Sequence, residues 1–254
     1  MELGDREIHL WAADTKDFPL QQLESHSLAW LSAAELAKFN RFKVQQSRHE
    51  FLLGQALLRT VLSEYMPGKP QDWKFSLQQN GKPTLAQAEE HRSVGFNLSH
   101  SDGRVILAVG RSEQIGVDLE KVREQRRISK IAERHFSPAE VEQFQELSGA
   151  AQLNRFYELW TLKESYIKAT GKGLSQSLSS FGFEFTTDSF EFWLQDGDRD
   201  EATRWQFWQL EAGETFRLAL GCHAGLGRVQ QLRSFAWLEF TGHHEIATEV
   251  IRSF

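Results

Sequence analysis

The feature that most restricts how this chain can fold is an internal repeat. Ser32-Ala33-Ala34-Glu35-Leu36-Ala37-Lys38-Phe39 returns 105 residues later as Ser137-Pro138-Ala139-Glu140-Val141-Glu142-Gln143-Phe144. At the same offset Phe51-Leu52-Leu53 falls on Phe156-Tyr157-Glu158. Each copy predicts a short helix followed by a longer one, with Ser32 and Ser137 as N-caps and Glu35 and Glu140 as their capping-box partners. Strand-like alternation keeps step with the helices. Ile8 to Ala13 matches Ile115 to Glu120, Trp73 to Leu77 matches Phe181 to Phe185, and Arg104 to Val109 matches Thr215 to Leu220. The expectation is an α+β chain of two similar halves, each with one long helix against a small sheet. The first half covers residues 1–112. The second begins at residue 113 and ends near 235, and a tail of unassigned role runs from there to residue 254. No Pro-, Gly- or Ser-rich linker separates the halves, so they should pack tightly.

The 254 residues are enough to bury a large core, and 19 Phe and 8 Trp predict an aromatic one. Cys222 is the only cysteine, which excludes an internal disulfide and argues against a Cys-based zinc site. No apolar run exceeds strand length and the first residues are too polar for a secretory signal, so the expected setting is cytoplasmic, with no membrane association. A net charge of −6 argues against a general nucleic-acid binder. It leaves room for a phosphorylated small ligand held by a few local cations.

Two segments carry candidate chemistry in the second half. In Ile115-Gly116-Val117-Asp118-Leu119-Glu120, alternation turns Ile115, Val117 and Leu119 to one face and Gly116, Asp118 and Glu120 to the other. Carboxylates two positions apart on a strand are about 6.6–7 Å apart and can straddle one hard cation, with Gly116 leaving space beside them. A solvated acidic strand face is the plain alternative. In Trp160-Thr161-Leu162-Lys163-Glu164-Ser165-Tyr166-Ile167-Lys168, the residues Trp160, Glu164 and Lys168 form one helical row, and Gly171 is positioned as the C-cap. The first half places Arg59 at the position of Glu164, and its strand copy has Asp14 but no Asp-x-Glu. Charged groups kept in only one half predict a single site, located where the halves meet.

The first half offers groups suited to phosphate. Asn80-Gly81-Lys82-Pro83 reads as a turn with Lys82 at its tip. Phe96-Asn97-Leu98-Ser99-His100-Ser101 sends apolar residues inward and then gathers hydroxyls and an imidazole before a turn, a combination suited to an anion. Lys38, Arg41 and Arg48 lie on a basic helical stretch that could line one end of a cleft.

These segments, in this order and spacing, strongly resemble the surfactin-synthetase-type (Sfp-type) 4′-phosphopantetheinyl transferases. The likeness runs from about Ile8 to about Phe235, and its specific part is Gly116-Val117-Asp118-Leu119-Glu120 with Trp160-x-x-Lys163-Glu164-x-x-x-Lys168-x-x-Gly171-x-Gly173-Leu174. The resemblance implies a pseudo-dimeric α+β fold that binds coenzyme A, as a substrate, between its halves. It implies Mg²⁺, or Mn²⁺, on Asp118, Glu120 and Glu164. Lys168 and His100 would meet the pyrophosphate, and Ser99 and Lys82 the adenosine end and its 3′-phosphate. Lys38 and Arg48 would be further 3′-phosphate contacts. Where the best-known members carry two lysines three residues apart, this chain has Glu35 and Lys38.

The implied reaction moves phosphopantetheine from coenzyme A to a serine of an apo acyl or peptidyl carrier protein and releases 3′,5′-ADP, with Glu164, Lys168 and His100 as the catalytic groups. Carrier proteins of this class have acidic surfaces, and Lys121, Arg123, Arg126, Arg127, Lys130 and Arg134 offer a complementary basic stretch, with Phe136 as an apolar contact. A monomer is expected, because a duplicated chain completes its own cleft. Two other readings use the same residues: a metal-dependent hydrolase of nucleotide-like phosphates and a non-catalytic coenzyme A-binding module.

Overall fold

The computed structural model describes residues 1–86, 94–124, 127–195, 197, 199–224, 228–229, 231–238, 240 and 242–254. Its first half runs β1 (Glu7–Asp14), α1 (Leu20–Ser27), α2 (Ala33–Arg41), α3 (Gln45–Tyr65), β2 (Phe75–Leu77), β3 (Pro83–Leu85), β4 (Gly95–Ser101) and β5 (Arg104–Gly110). The second runs β6 (Ile115–Lys121), α4 (Ile128–His135), α5 (Pro138–Gln145), α6 (Gly149–Thr170), β7 (Phe181–Phe185), β8 (Phe190–Leu194), α7 (Arg199–Thr203), β9 (Trp205–Leu210) and β10 (Phe216–His223). Three strands follow: β11 (Gln231–Leu238), β12 (Gly242–Ile246) and β13 (Val250–Ser253).

The duplication is present in both topology and local chemistry. Each half places its strands in the same order, β1-β5-β4 in one sheet and β6-β10-β9 in the other, and each adds a small hairpin, β2-β3 or β7-β8. Both capping boxes form. Ser32 and Ser137 accept from the backbone N–H of Glu35 and Glu140, whose carboxylates accept from the backbone N–H of those serines. The two short helices therefore start at equivalent points and hand the chain to the two long helices, α3 and α6, in the same register.

Strand alternation divides the core into three. Trp11, Ala13, Val105, Leu107 and Val109 pack with α1–α3. Ala219 and Phe207 pack with Phe156, Leu159, Leu162 and Tyr166 of α6 and the β7-β8 hairpin. Ile8, Leu10, Ile106 and Ala108 from one sheet meet Ile115, Val117, Leu119, Leu218 and Leu220 from the other. The sheets thus stack face to face with helices outside them, and most of the buried apolar area lies in these layers.

The end of the chain departs from the simple division at residue 112. After completing the second half, β11 crosses back to pair in parallel with β1, and β12 pairs with β11, which makes the first sheet five-stranded. Then β13 returns to pair with β9 in the second sheet. Strands β11, β12 and β13, which lie mostly in the tail beyond residue 235 left unassigned from sequence, strap the halves together across a cavity of about 440 Å³ between the sheets. Among the described residues no helix is long and apolar enough to cross a membrane.

Candidate active site

On the other side of the stacked sheets, two edge strands run side by side. Strand β6 is an edge of the second sheet and β4 an edge of the first. An open edge leaves backbone donors and acceptors without partners. Here side chains close it. Asn97 Oδ1 accepts from the N–H of Val117 at 2.9 Å, Ser99 Oγ from Leu119 at 3.1 Å, and Ser101 Oγ from Lys121 at 3.1 Å. The alternation of β4 places these three side chains on one face at the spacing of the β6 amides. This seam is what joins the halves beside the site. Its sequence signal is a polar residue at every second position of Asn97-Leu98-Ser99-His100-Ser101.

Helix α6 lies directly on β6. A Cβ at Gly116 would come within 2.0 Å of Ser165 O and 2.5 Å of Ala169 N. The space expected beside the carboxylates at Gly116 is therefore filled by helix backbone, and that close approach carries Glu164 and Lys168 over Asp118 and Glu120. Gly171 ends α6 with φ of 67°, the left-handed cap its position predicts.

Asp118 is the centre of the cluster and is buried. Its Oδ1 accepts from Lys168 Nζ at 2.6 Å and from Ser99 Oγ at 3.1 Å. Lys168 also donates to Ser99 Oγ at 2.9 Å and to Val117 O at 3.2 Å. One ammonium thus bridges α6, β6 and β4. The second oxygen, Asp118 Oδ2, is buried with no hydrogen-bond partner. Glu120 and Glu164 are half-buried near it. Burial, the negative charge of Asp118 and that of Glu120 raise Glu164 to about 7, against the pull of Lys168. Burial and Asp118 also raise Glu120, which is partly offset by Lys168 and by hydrogen bonds from Trp160 and Ser101.

Three carboxylates served by one ammonium leave excess negative charge out of water. A buried acceptor without a partner carries a desolvation cost. A hard divalent cation would remove both, and carboxylate oxygens are the donors such a cation takes. The residues present therefore fit a cation, with Asp118 Oδ2 as its buried ligand. As placed, no three acidic, histidine or cysteine side chains among the described residues stand close enough to enclose one.

A cleft of about 630 Å³ opens from this cluster. The Asn80–Pro83 turn, Asn97 and Leu98 line it from the first half, and Glu164, Ile167, Lys168 and Gly171 from the second. Lys82 departs from expectation. It does not sit at the tip of its turn but is buried, and its ammonium donates to Glu113 O at 2.8 Å, Ile115 O at 3.2 Å and Ala169 O at 2.8 Å. What the turn offers the cleft is backbone and Asn80, which also donates to Gly171 O at 3.1 Å.

The remaining sequence candidates are spread more widely. His100 is half exposed at the end of β4 and meets Glu50 at 3.0 Å. Lys38 is exposed, with its ammonium 5.1 Å from the centre of the Phe51 ring. Arg48 stacks on Phe39 and pairs with Glu24 at 2.9 Å. Glu35, which stands where a lysine was expected, is committed to its capping box and to Arg59. Of the basic stretch, Arg127, Lys130 and Arg134 are exposed on or beside α4, Lys121 and Arg123 pair with Asp102, and Arg126 lies outside the described residues. Phe136 is not a surface contact. It is buried against Phe156 in the core of the second half.

Comparison with known proteins gives family matches to both halves. The model of the 4′-phosphopantetheinyl transferase superfamily matches residues 114–221, and that of the 4′-phosphopantetheinyl transferase N-terminal region matches residues 16–112, so each half is matched in turn. The 4′-phosphopantetheinyl transferase HetI of a Nostoc species is 38% identical over 67% of this chain and 71% of its own length. The 4′-phosphopantetheinyl transferase Sfp of Bacillus subtilis is 37% identical over 68% and 75%. A phosphopantetheinyl transferase of Thraustochytrium is 29% identical over 84% and 77%. The crystal structure of the holo-[acyl-carrier-protein] synthase of Thermotoga maritima superposes with a TM-score of 0.34 at 20% identity, over 42% of this chain and 60% of its own. The chain belongs to the 4′-phosphopantetheinyl transferase superfamily, and within it to the Sfp-type enzymes.

Proposed function

We propose that this enzyme transfers 4′-phosphopantetheine from coenzyme A to a serine hydroxyl of an acyl or peptidyl carrier protein and releases 3′,5′-ADP. The observation that carries the reading is the Asp118 cluster at the head of the cleft. A buried, partly unsatisfied carboxylate is fixed there by an ammonium that reaches both halves. Asp118, Glu120 and Glu164 would hold Mg²⁺ or Mn²⁺. Bound there, the ion would offset charge growing on the pyrophosphate as its bridging bond breaks.

The chain's own residues account for the rest. The Asn80–Pro83 backbone receives the adenosine end, and Lys38 on α2 and Arg48 on α3 are the contacts for the 3′-phosphate. Lys168 and His100 stabilise the pyrophosphate. Glu164, held near 7, suits a proton acceptor at neutral pH. It takes the serine proton, directly or through a water. The serine oxygen bonds to the β-phosphorus, the bond from that phosphorus to the bridging oxygen breaks, and 3′,5′-ADP leaves with the electron pair. Most of the acceleration comes from positioning and charge, as in phosphoryl transfer generally. The exposed cations of α4 supply an encounter surface for an acidic carrier, and a single chain completes the cleft, which favours a monomer.

Intact-mass measurement of an apo carrier protein incubated with the enzyme, coenzyme A and Mg²⁺ tests the reading. The expected result is a gain of one phosphopantetheine that is lost with EDTA. Release of phosphopantetheine into solution with the carrier unmodified would identify a hydrolase instead. Coenzyme A binding without turnover would identify a binding module.

A further inference from the structure

Opposite the seam, the other face of β4 turns Leu98 and His100 towards α3. Leu98 lines the cleft, and His100 is the next residue along on the same face. Behind His100 stands Glu50, a carboxylate in the middle of the chemistry-bearing region that the reaction above does not use. It is only 8% exposed, and both its oxygens are occupied. Oε1 accepts from the N–H of Gly103 at 2.7 Å and from the amide of Gln46 at 3.0 Å. Oε2 faces His100 Nδ1 at 3.0 Å. Burial alone would raise Glu50, but the hydrogen bonds from His100, Gly103 and Gln46 hold it below the usual carboxylate range. A carboxylate so held can only accept, so the ring nitrogen facing it must carry a proton.

Resting on the reading of the cleft given above, we propose that Glu50 is a positioning residue for His100. It fixes the ring with its proton on Nδ1 and leaves Nε2 as the nitrogen presented to the donor's phosphates. With Nδ1–H held on the carboxylate, a proton carried on Nε2 is directed at the anionic oxygen, which makes that contact charge-assisted. Through Gly103, Glu50 also ties the β4-β5 turn to α3, so ring and turn are set by one side chain.

Glu50→Gln isolates the effect. The amide oxygen keeps the two donors at Gly103 and Gln46, which turns the amide nitrogen towards Nδ1. That ring nitrogen must then accept, and its proton moves to Nε2. With ¹⁵N-labelled histidine, the His100 signals, assigned by their loss in His100→Ala, should show the proton on Nδ1 in the wild type and on Nε2 in E50Q. Turnover per unit coenzyme A, kcat/KM, should fall about tenfold in E50Q, while adding E50Q to H100A should cost less than about twofold more. A wild-type ring protonated on Nε2 alone overturns the proposal, and that measurement needs no variant to fold. An equal loss in the H100A background also overturns it, because Glu50 would then act only through the turn. If H100A turned over normally, the role of His100 in the cleft would fall and this inference with it. Survival of the Nδ1 signature would distinguish that outcome from failure of the Glu50 contact.

Discussion

The two halves share one scaffold and use the same two places in it for different ends. In each, the strand that opens the half turns alternate residues towards the long helix. In β1 that face carries His9 and Trp11; in β6 it carries Gly116 and Asp118. Trp11 is fully buried, stacks on Phe235 at 4.8 Å and donates to Tyr65 Oη at 2.9 Å. Asp118 fills the equivalent place with a charge and an unpartnered oxygen. One half fills its strand-helix layer with an aromatic side chain. The other leaves a polar gap there and thins the strand to Gly116 so that a helix bearing Glu164 and Lys168 can approach. The duplicated fold leaves the first half free of the acidic cluster, and that half's edge, β4, completes the site of the other.

The largest effect expected from that contrast is a crossed pair of substitutions. Asp118→Ala should lower carrier modification by at least about a hundredfold while leaving the melting transition in place. Trp11→Ala should do the reverse and cost about 3–5 kcal/mol of stability, with kcat retained in the fraction that folds. Intact-mass kinetics beside thermal denaturation of both variants measures this. If both variants lost activity and stability alike, the division of labour between halves would be wrong.

A second contrast lies in how each long helix is tied to the short helix before it. In the first half Arg59, buried on α3, donates to Glu35 at 2.7 and 2.9 Å. In the second, Lys163, buried on α6, meets Glu140 at 2.8 Å and donates to Leu178 O and Phe181 O, each at 2.7 Å. Both glutamates are the capping-box residues, so each pair locks a cap to the next helix. The pairs differ in their access to water, since Glu35 is 20% exposed and Glu140 2%. Removing one partner of a buried pair leaves the other charge unpaired, at about 3–5 kcal/mol. Lys163→Met should fall in that range, and Arg59→Met below it, because the Glu35 carboxylate can turn to solvent. Chemical denaturation of the two variants ranks them, and equal losses would show that exposure of the acid does not set the cost.

These comparisons show what the sequence made legible. The repeat, the capping boxes, the strand alternation, the Asp118–Glu120 pair and the Glu164–Lys168 pair depend on neighbours within a few residues or on a fixed offset, and they can be read along the chain; that the two pairs share one metal site is what the family resemblance implied. The seam could not be read that way. Asn97, Ser99 and Ser101 meet amides about twenty positions away, and nothing local distinguishes a polar strand face in water from one stitched to another backbone. The offset of 105 also conceals a shift of one residue. It sets Arg59 against Glu164, yet in three dimensions Arg59 does the work of Lys163, and that frees Glu164 for the site. The return of β11 to the first sheet is a long-range pairing that leaves no local mark.

Lys82 reaches from the first half into the second, and the smallest expected effect sharpens the comparison there. A lysine in an Asn-Gly-Lys-Pro turn reads as a surface cation, yet this one is buried with three carbonyls from the loop before β6, from β6 itself and from the end of α6. Burial pushes its ammonium down from 10.5 to about 8. The unfolded chain therefore keeps this proton to higher pH than the folded one, and between about pH 8 and 10.5 unfolding takes up a proton. Stability contributed by this group rises with pH across that window. Lys82→Met removes the titration, so the stability gap between wild type and variant should widen from pH 7 to pH 10, by about 1–3 kcal/mol. Urea denaturation at the two pH values gives the answer. A gap that narrows instead would mean that the three carbonyls outweigh burial and keep the clamp charged, which would make Lys82 an electrostatic bond between the halves and not merely a buried donor.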